Sequence, residues 1–444
     1  MYPHMVYSQI KKWTLTECIE YGIKNNTKIK QREINIKMNQ YEKRISIFSL
    51  FPTLSLDNTF YRYGGRVLDP TTYNYVEGED VAYNYISAQL SITMNDVYKN
   101  IQQIKIDNLN IEKAFYEYQM THNDIKLQII AAYLELTNSK EAIEDATAVI
   151  KDLEIKLENL INRKSVQKAV DADIISLKFQ IADIQKKNVD LEKQCIINKI
   201  KLCQLINNPN YEDFDIMPMD VSMNHTNLNT YTCFDDVEFW PEIKSAKLKV
   251  KIAEKELKRN AFINYPVITL SYGVTTSYSS ARRKYVNEDP ITVQKYPLSE
   301  QFRDNKQKFI SLNFKFPINS ILLGQKERKI QKINVEKALF ELEETRKEIS
   351  KEISHAYYDW KSAEKQFEIA GQQLEYSREL YKQMLSKYGI GKLNTMEFKI
   401  AYNDYMKCKS DFRQAKLALI FKSIIMEFIS DICTQKSIEK KHND

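Results

Sequence analysis

Enzymatic chemistry needs a nucleophile with its base, a metal-ligating cluster or a phosphate cradle, and these 444 residues hold few candidates for any of them. The six cysteines (Cys18, Cys195, Cys203, Cys233, Cys408 and Cys433) form no CxxC pair and no Cys/His spacing suited to zinc. Cys195 and Cys203 lie eight apart on one predicted helix, so they share a face but are badly placed to bond to each other. Unpaired cysteines usually mark a reducing compartment. His122 and His355 stand on predicted helices with no second ligand three or four residues away. No nucleophile–base pattern, phosphate loop or dinucleotide fingerprint occurs. The expectation is a protein that is no enzyme and uses no cofactor or metal. What remains is a group of turn residues. Tyr388, Gly389, Gly391 and Lys392 share one predicted turn, Glu397 follows it, and Asp173 takes the equivalent place after an earlier turn. Acids in a first helical turn are favoured by the helix dipole, and the glycines suit a tight reversal.

The elements that carry these turns are written twice. Phe51-Pro52 opens the run Thr53-Leu54-Ser55-Leu56, and 214 residues later Tyr265-Pro266 opens Val267-Ile268-Thr269-Leu270-Ser271. The same offset lays Ile29-Lys30 on Ile243-Lys244, and with small gaps Ala132-Tyr133 falls on Ala356-Tyr357. Each half reads helix, aromatic-Pro, strand, loop, strand, very long helix, an internal repeat. Thr14 or Thr16 is a plausible cap for a first helix running to about Phe48, with a break at Asn25-Asn26. Apolar and polar residues alternate over about 53–63, 84–94, 267–278 and 309–316, and about ten residues suits a strand tilted across a bilayer. Tyr61, Tyr63, Tyr83, Tyr85, Tyr265, Tyr272 and Tyr278 cluster near these strands, as interfacial girdle residues would, although β-propensity alone also favours tyrosine there. The connections Arg62 to Asp80 and Ser279 to Asp304 are long for hairpin loops.

From Ile101 the long helix carries a heptad seam. One position reads Ile101, Asn108, Phe115, His122, Ile129, Leu136, Ile143, Ile150, Leu157, and its companion runs from Ile104 through Ile125 and Ala132 to Leu160. A polar turn near 162–169 reverses it into a helix ending about Ile206. In the second half a helix from about Leu323 reaches Lys387, turns at Gly389-Ile390-Gly391 and returns from Asn394 to about Ile429. The longer arms, at 1.5 Å per residue, would span about 90–100 Å.

Composition agrees with long helices. The chain has nine Gly and ten Pro, and no proline past Pro317. Net charge is +6, with 65 basic and 59 acidic residues interleaved as on solvated helix faces, so no nucleic-acid stripe exists. No apolar run approaches the ~20 residues of a transmembrane helix. The first thirty residues lack a signal-peptide core, and Met1 to Gln9 read as an appended or irregular leader. The expected division is a first repeat over 13–206, an irregular connector over 207–235, a second repeat over 236–430 and a tail over 431–444.

Four amphipathic strands cannot close a barrel alone, and unpaired edges in lipid cost several kcal/mol per backbone group. Several chains contributing four strands each would resolve this. The order Trp13-Thr14-Leu15, Phe51-Pro52-Thr53-Leu54, Tyr265-Pro266-Val267-Ile268 and Tyr388-Gly389-Ile390-Gly391 resembles the TolC-like outer-membrane efflux proteins, over about residues 13–430. The resemblance implies a mainly α fold with a small β part: a homotrimer whose four strands per chain form a twelve-stranded barrel continued by an α-helical tunnel. It implies an outer-membrane location with a periplasmic extension. The expected partners are outer-membrane lipid, a periplasmic adaptor and an inner-membrane pump of the RND, ABC or MFS type, with no nucleic acid. In such a duct Tyr388, Glu397, Asp173 and Lys392 would form a periplasmic gate, and Gly389 and Gly391 would serve the tip turn and adaptor contact. Lys392 stands where the family often has an arginine. Three-fold symmetry would turn one carboxylate into a ring that attracts cations. The alternative is a soluble coiled-coil scaffold or tether, which accounts for the heptads and free cysteines but not for four symmetrically placed strands.

Overall fold

A computed structural model describes residues 11–69, 71, 73–76, 80–164, 171–217, 237–260, 266–286, 289–389, 393 and 395–441. Two compact units emerge. One gathers Met1–Asn35, Ala114–Ala246 and Leu342–Asp444; the other gathers Ile36–Lys113 and Lys247–Glu341. Both draw on both sequence repeats: strands of the two repeats pair in the sheet unit, and helices of the two repeats pack in the helical unit.

In the helical unit, β1 (Lys12–Trp13) leads into α1 (Leu15–Asn25). Thr14 caps α1 in a capping box: its hydroxyl accepts from the Glu17 amide at 3.2 Å, and the Glu17 carboxylate accepts from the Thr14 amide at 2.9 Å. The expected break falls at Asn26, whose side chain donates to the Leu205 carbonyl at 2.8 Å and accepts from the Lys28 amide at 2.8 Å. Helix α2 (Thr27–Phe48) then begins. Two long hairpin helices follow in the chain, α3 (Met94–Lys164) and α4 (Asp171–Ile206). The connector is not wholly irregular, because β6 (Asp215–Ile216) pairs in parallel with β1. Tyr133, buried on α3, sets its hydroxyl 2.7 Å from the Met217 carbonyl and 3.2 Å from that of Trp13, fixing this short ladder over the core. Cys18, Ile29, Ile129, Leu136, Leu202, Cys203 and Ile206 form that core. Gly22 is required where α1 meets α3 and α4, since a Cβ there would lie 2.5 Å from Ile129 Cδ1. Cys18, Cys195, Cys203 and Cys408 are free thiols, and Cys233 and the side chain of Cys433 lie outside the described residues.

From Ile125 to Leu153 the heptad seam on α3 is buried except at Ile143 and Ile150, which are half-buried, but Ile101 and Phe115 stay exposed. Other residues of that part of α3 meet α2 and α5 (Pro241–Arg259), where Ser46 donates to Asp107 at 2.6 Å and Tyr98 to the Lys258 carbonyl at 3.3 Å. Helix α5 belongs partly to each unit, and α7 (Ile318–Gly389) and α8 (Thr395–Lys441) complete the second hairpin. The helical run continues about twelve residues beyond the expected end near Ile429, because no Gly or Pro interrupts it.

In the sheet unit, β2 (Thr53–Tyr63), β5 (Val81–Thr93), β7 (Val267–Ser279) and β10 (Gln307–Lys315) form one antiparallel sheet in the order β10-β7-β5-β2. The long loops are folded, not irregular. They carry β3 (Val67–Leu68) paired with β4 (Tyr75–Val76), β8 (Arg283–Val286) paired with β9 (Asp289–Lys295), and α6 (Leu298–Asp304). Asp69 is fully buried, accepting from the Ser279 hydroxyl at 2.5 Å and from the Thr71 amide and hydroxyl at 2.7 Å each. Gln301 accepts from the Ser279 amide and donates to the Ser279 and Tyr296 carbonyls, each at 3.0 Å. At the other end of the sheet Asn95 donates to the Pro266 carbonyl at 3.2 Å and accepts from the Ile268 amide at 3.0 Å, so β7 starts against the first turn of α3.

Glu242, in the first turn of α5, offers a pH test of the helical unit. Burial, with the nearby charges of Asp124 and Glu352, pushes its carboxyl above the usual range. A raised folded-state value means that stability is full below the ordinary carboxyl pKa of about 4 and falls as pH rises through the shifted value. Glu242→Gln is therefore expected to raise the unfolding midpoint at pH 7 and to leave it unchanged near pH 4, as thermal denaturation at the two pH values would read.

Candidate channel surfaces and tip gate

Strand register decides which residues share a face of the sheet. Leu54, Leu90, Tyr272 and Ile310 form one lateral row, and Ile92, Leu270 and Leu312 form another on the same face. The opposite face carries Ser55, Gln89, Gly273 and Phe309 in one row and Asp57, Ser87, Thr275 and Gln307 in another. Burial is inverted relative to a soluble sheet. Leu56 and Ile310 are about three-quarters exposed (75% and 76%), while Ser87, Ser271, Thr275 and Ser279 on the polar face are buried. Gly273 lets Phe309 lie flat across it, since a Cβ there would sit 2.5 Å from the Phe309 Cζ. The girdle expectation is corrected for four tyrosines. Tyr61, Tyr63, Tyr83 and Tyr85 lie on the polar face, because each is an even number of residues from Ser55 or Gln89. Tyr272 and Tyr278 lie on the apolar face, and Tyr265 is outside the described residues.

The edge strands β2 and β10 pair on one side only. Exposed apolar residues also line two helices at heptad spacing, Met38, Tyr41, Ile45 and Phe48 on α2 and Leu323, Ile330, Ile333 and Phe340 on α7. Both features mark surfaces that have no partner among the described residues of a single chain.

At the second hairpin tip, α7 ends at Gly389 and α8 begins at Thr395. The Tyr388 ring stacks on Phe398 (centroids 4.8 Å apart, 15° between planes), and its shielded hydroxyl has no hydrogen-bond partner among the described residues. Phe398 and Tyr402 are buried, and Tyr381 packs on both at 5.8 Å and lies parallel to Tyr405 at 5.2 Å. Into this cluster α3 sends Lys156. Its ammonium donates to the Tyr381 hydroxyl at 3.2 Å, sits 5.5 Å from the Phe398 ring centroid and pairs with Asp152 at 2.5 Å. Burial, then the neighbouring phenol of Tyr381 and the Asp152 charge, pushes the Tyr402 hydroxyl well above the usual phenol range. Higher on the same hairpin, Asp145 of α3 takes both Lys409 (2.6 Å) and Arg413 (2.5 Å) of α8.

Glu397 is exposed in the first turn of α8. Asp173 falls in the first turn of α4, but its side chain, with Gly391 and Lys392, lies outside the described residues. The tip thus brings Tyr388 against Phe398, not against a described carboxylate. Sequence reading missed Lys156, Tyr381 and Phe398, although Phe398, Tyr402 and Tyr405 recur at the i, i+4, i+7 spacing of one helical face.

Residues 240–419 match the family described as outer membrane efflux protein. No curated protein sequence matches the chain significantly. Among solved structures, the outer-membrane channel CmeC of Campylobacter jejuni superposes with a TM-score of 0.78 at 14% identity, covering 96% of this chain and 88% of that one. The fold is that of a TolC-like outer-membrane efflux protein. OprN, an outer-membrane channel, superposes at 0.77 with 12% identity over 97% of this chain and 92% of its own. The open-state MtrE channel of Neisseria gonorrhoeae gives 0.75 at 15% identity over 94% and 88%. The family match covers the second half of the chain, and the three structural neighbours share its fold over nearly its whole length and are themselves described as outer-membrane channels.

Lys156→Met is expected to loosen the second hairpin by about 1 kcal/mol, the size of a partly desolvated cation–π contact. Hydrogen exchange would then quicken in α8 around Phe398, and Lys156→Arg would retain most of the protection.

Proposed function

We propose that this chain is the passive exit duct of a tripartite efflux or type I secretion system. Three copies close a twelve-stranded barrel and an α-helical tunnel, and an inner-membrane pump of the RND, ABC or MFS type delivers cargo through a periplasmic adaptor. The inverted sheet carries this reading. An exposed apolar face on strands about long enough to span a membrane, with a polar face behind it, suits lipid outside and water inside. The edges support closure by copies: with order β10-β7-β5-β2 and every neighbour antiparallel, β10 of one chain runs antiparallel to β2 of the next. A coiled-coil tether has no use for such a sheet.

On this reading the localisation is the outer membrane with a periplasmic extension. The hairpin tips form the gate, with Tyr388, Glu397, Asp173 and Lys392 as its polar groups and Gly389 and Gly391 offering close approach to the adaptor. Energy comes from the pump. Tyr388 stacks on Phe398 with an unpartnered hydroxyl, an arrangement that a shift of the tip could relieve by supplying an acceptor.

Two measurements test the proposal. Leu312→Arg places a charge on the apolar face, at an expected cost of about 2–4 kcal/mol near the membrane midplane. It should remove trimers from the outer-membrane fraction, whereas Ser91→Lys on the polar face should preserve them. In planar bilayers the wild-type chain should form long-closed pores, and Tyr388→Ala or Glu397→Ala should raise the open fraction. A full-length protein found only in the cytosolic fraction, with no conductance from any variant, would sink the duct.

A further inference from the structure

Four tyrosines stand on the face that membrane lipid would not touch. Alternation along β2 puts Ser55, Asp57, Thr59, Tyr61 and Tyr63 together, and cross-strand register sets Tyr83 opposite Tyr61 and Tyr85 opposite Thr59. All four rings therefore gather at the end of the sheet where the loops leave, away from the long helices, with the short α6 bonded to Ser279 at the same end. The rings are ordered: Tyr61 stacks on Tyr63 (5.7 Å, 15°) and on Tyr83 (6.3 Å, 27°), and the Tyr83 hydroxyl meets the Ser277 side chain. Tyr61 and Tyr63 remain 43% and 39% exposed, so their surfaces are open to whatever occupies that side.

Charge on this face is one-sided. Among the described strand residues of the polar face, the single carboxylate is Asp57, exposed and four residues from Tyr61. The single basic residue is Lys315, which pairs with Val267 at the opposite, helix-bearing end. Electron-rich ring faces beside an exposed carboxylate, with no cation among them, attract positive charge and repel negative charge. A ligand must also offer enough apolar surface to cover the rings, which excludes small hydrated metal ions.

We infer that Tyr61, Tyr63, Tyr83 and Tyr85, with Asp57 as the countercharge, form a binding subsite for bulky organic cations. Its placement inside a lumen rests on the channel reading; the binding chemistry does not. In a three-chain barrel the set would recur three times around one opening, an aromatic ring through which cargo passes.

Tetraphenylphosphonium and tetraphenylborate share one shape and differ in charge sign, which makes them the probe pair. Calorimetry on the detergent-purified protein should show binding of the phosphonium and not of the borate. Tyr61→Leu combined with Tyr83→Leu should weaken phosphonium binding at least tenfold, Asp57→Asn should weaken it several-fold, and Tyr61→Phe, which keeps the ring face, should preserve it. Equal binding of the two ions, or phosphonium binding indifferent to both Tyr61→Leu and Asp57→Asn, overturns the subsite. Conductance in planar bilayers separates the two ideas. Pores with tyrosine-independent phosphonium binding leave the duct and remove the subsite. Tyrosine-dependent binding without any pore leaves the subsite and removes the duct.

Discussion

A β-sheet that leaves its apolar face bare while burying Ser87, Ser271, Thr275 and Ser279 on the other is poorly matched to water on its apolar side, and the rest of the chain answers to that. Lipid accepts Leu54, Leu56, Ile310 and Leu312 but offers nothing to backbone amides and carbonyls. The edge strands β2 and β10 must therefore be paired by protein. The exposed apolar stripes on α2 and α7 belong to the same requirement. A single copy has satisfied its interior ladders and left its perimeter open, which is the condition of a segment of a larger closed surface. On the polar face Phe309 fills the place of the side chain that Gly273 lacks.

The two hairpins are held together by a different kind of force. Asp145 gathers Lys409 and Arg413, and Lys156 lies among Tyr381 and Phe398, so α3 grips α7 and α8 through charge and aromatic faces as well as through aliphatic packing. Polar and cation–π contacts are directional and fix registry, whereas a purely aliphatic seam tolerates sliding by a heptad. Gln180 on α4 is the exception. It is 2% exposed, and neither end of its amide finds a partner among the described residues. An unsatisfied buried amide costs about 1–3 kcal/mol, so Gln180 offsets part of what the surrounding apolar packing contributes.

Sequence alone carried the strands, the capped first helix, the Asn26 break and the doubled order, because each writes itself locally as a period of two, a cap or a breaker. It also carried the seam from Ile125 to Leu153, where the partner helix lies in the same chain. It could not say that Ile101 and Phe115 would stay exposed, since a heptad names a face but not the molecule that covers it. The β1–β6 ladder is two residues per strand, too short for any period to register. Asp69 meets Ser279 across 210 residues, and Lys156 meets Tyr381 across 225, distances over which spacing conveys nothing. The tyrosines were visible as a cluster, but their face depended on counting from Ser55, a parity that composition does not reveal. Of the expected tip residues, Tyr388 and Glu397 can be placed with their side chains, and the aromatic bed beneath Tyr388 was legible only as a helical stripe of unknown purpose.

Doubling a two-stranded unit has a consequence for assembly that no single residue encodes. Two hairpins give an even number of strands, so the outermost strands of one chain always point in opposite directions. Copies can then be added around a ring of any size and every seam will be antiparallel, the pairing a hairpin already makes within itself. An odd count would leave each seam parallel, and every copy would have to join its neighbour by a geometry found nowhere else in the sheet. In the proposed ring of copies, the duplication would thus settle the polarity of contacts between molecules before any interface residue is chosen, leaving helix packing and curvature to set how many copies close it.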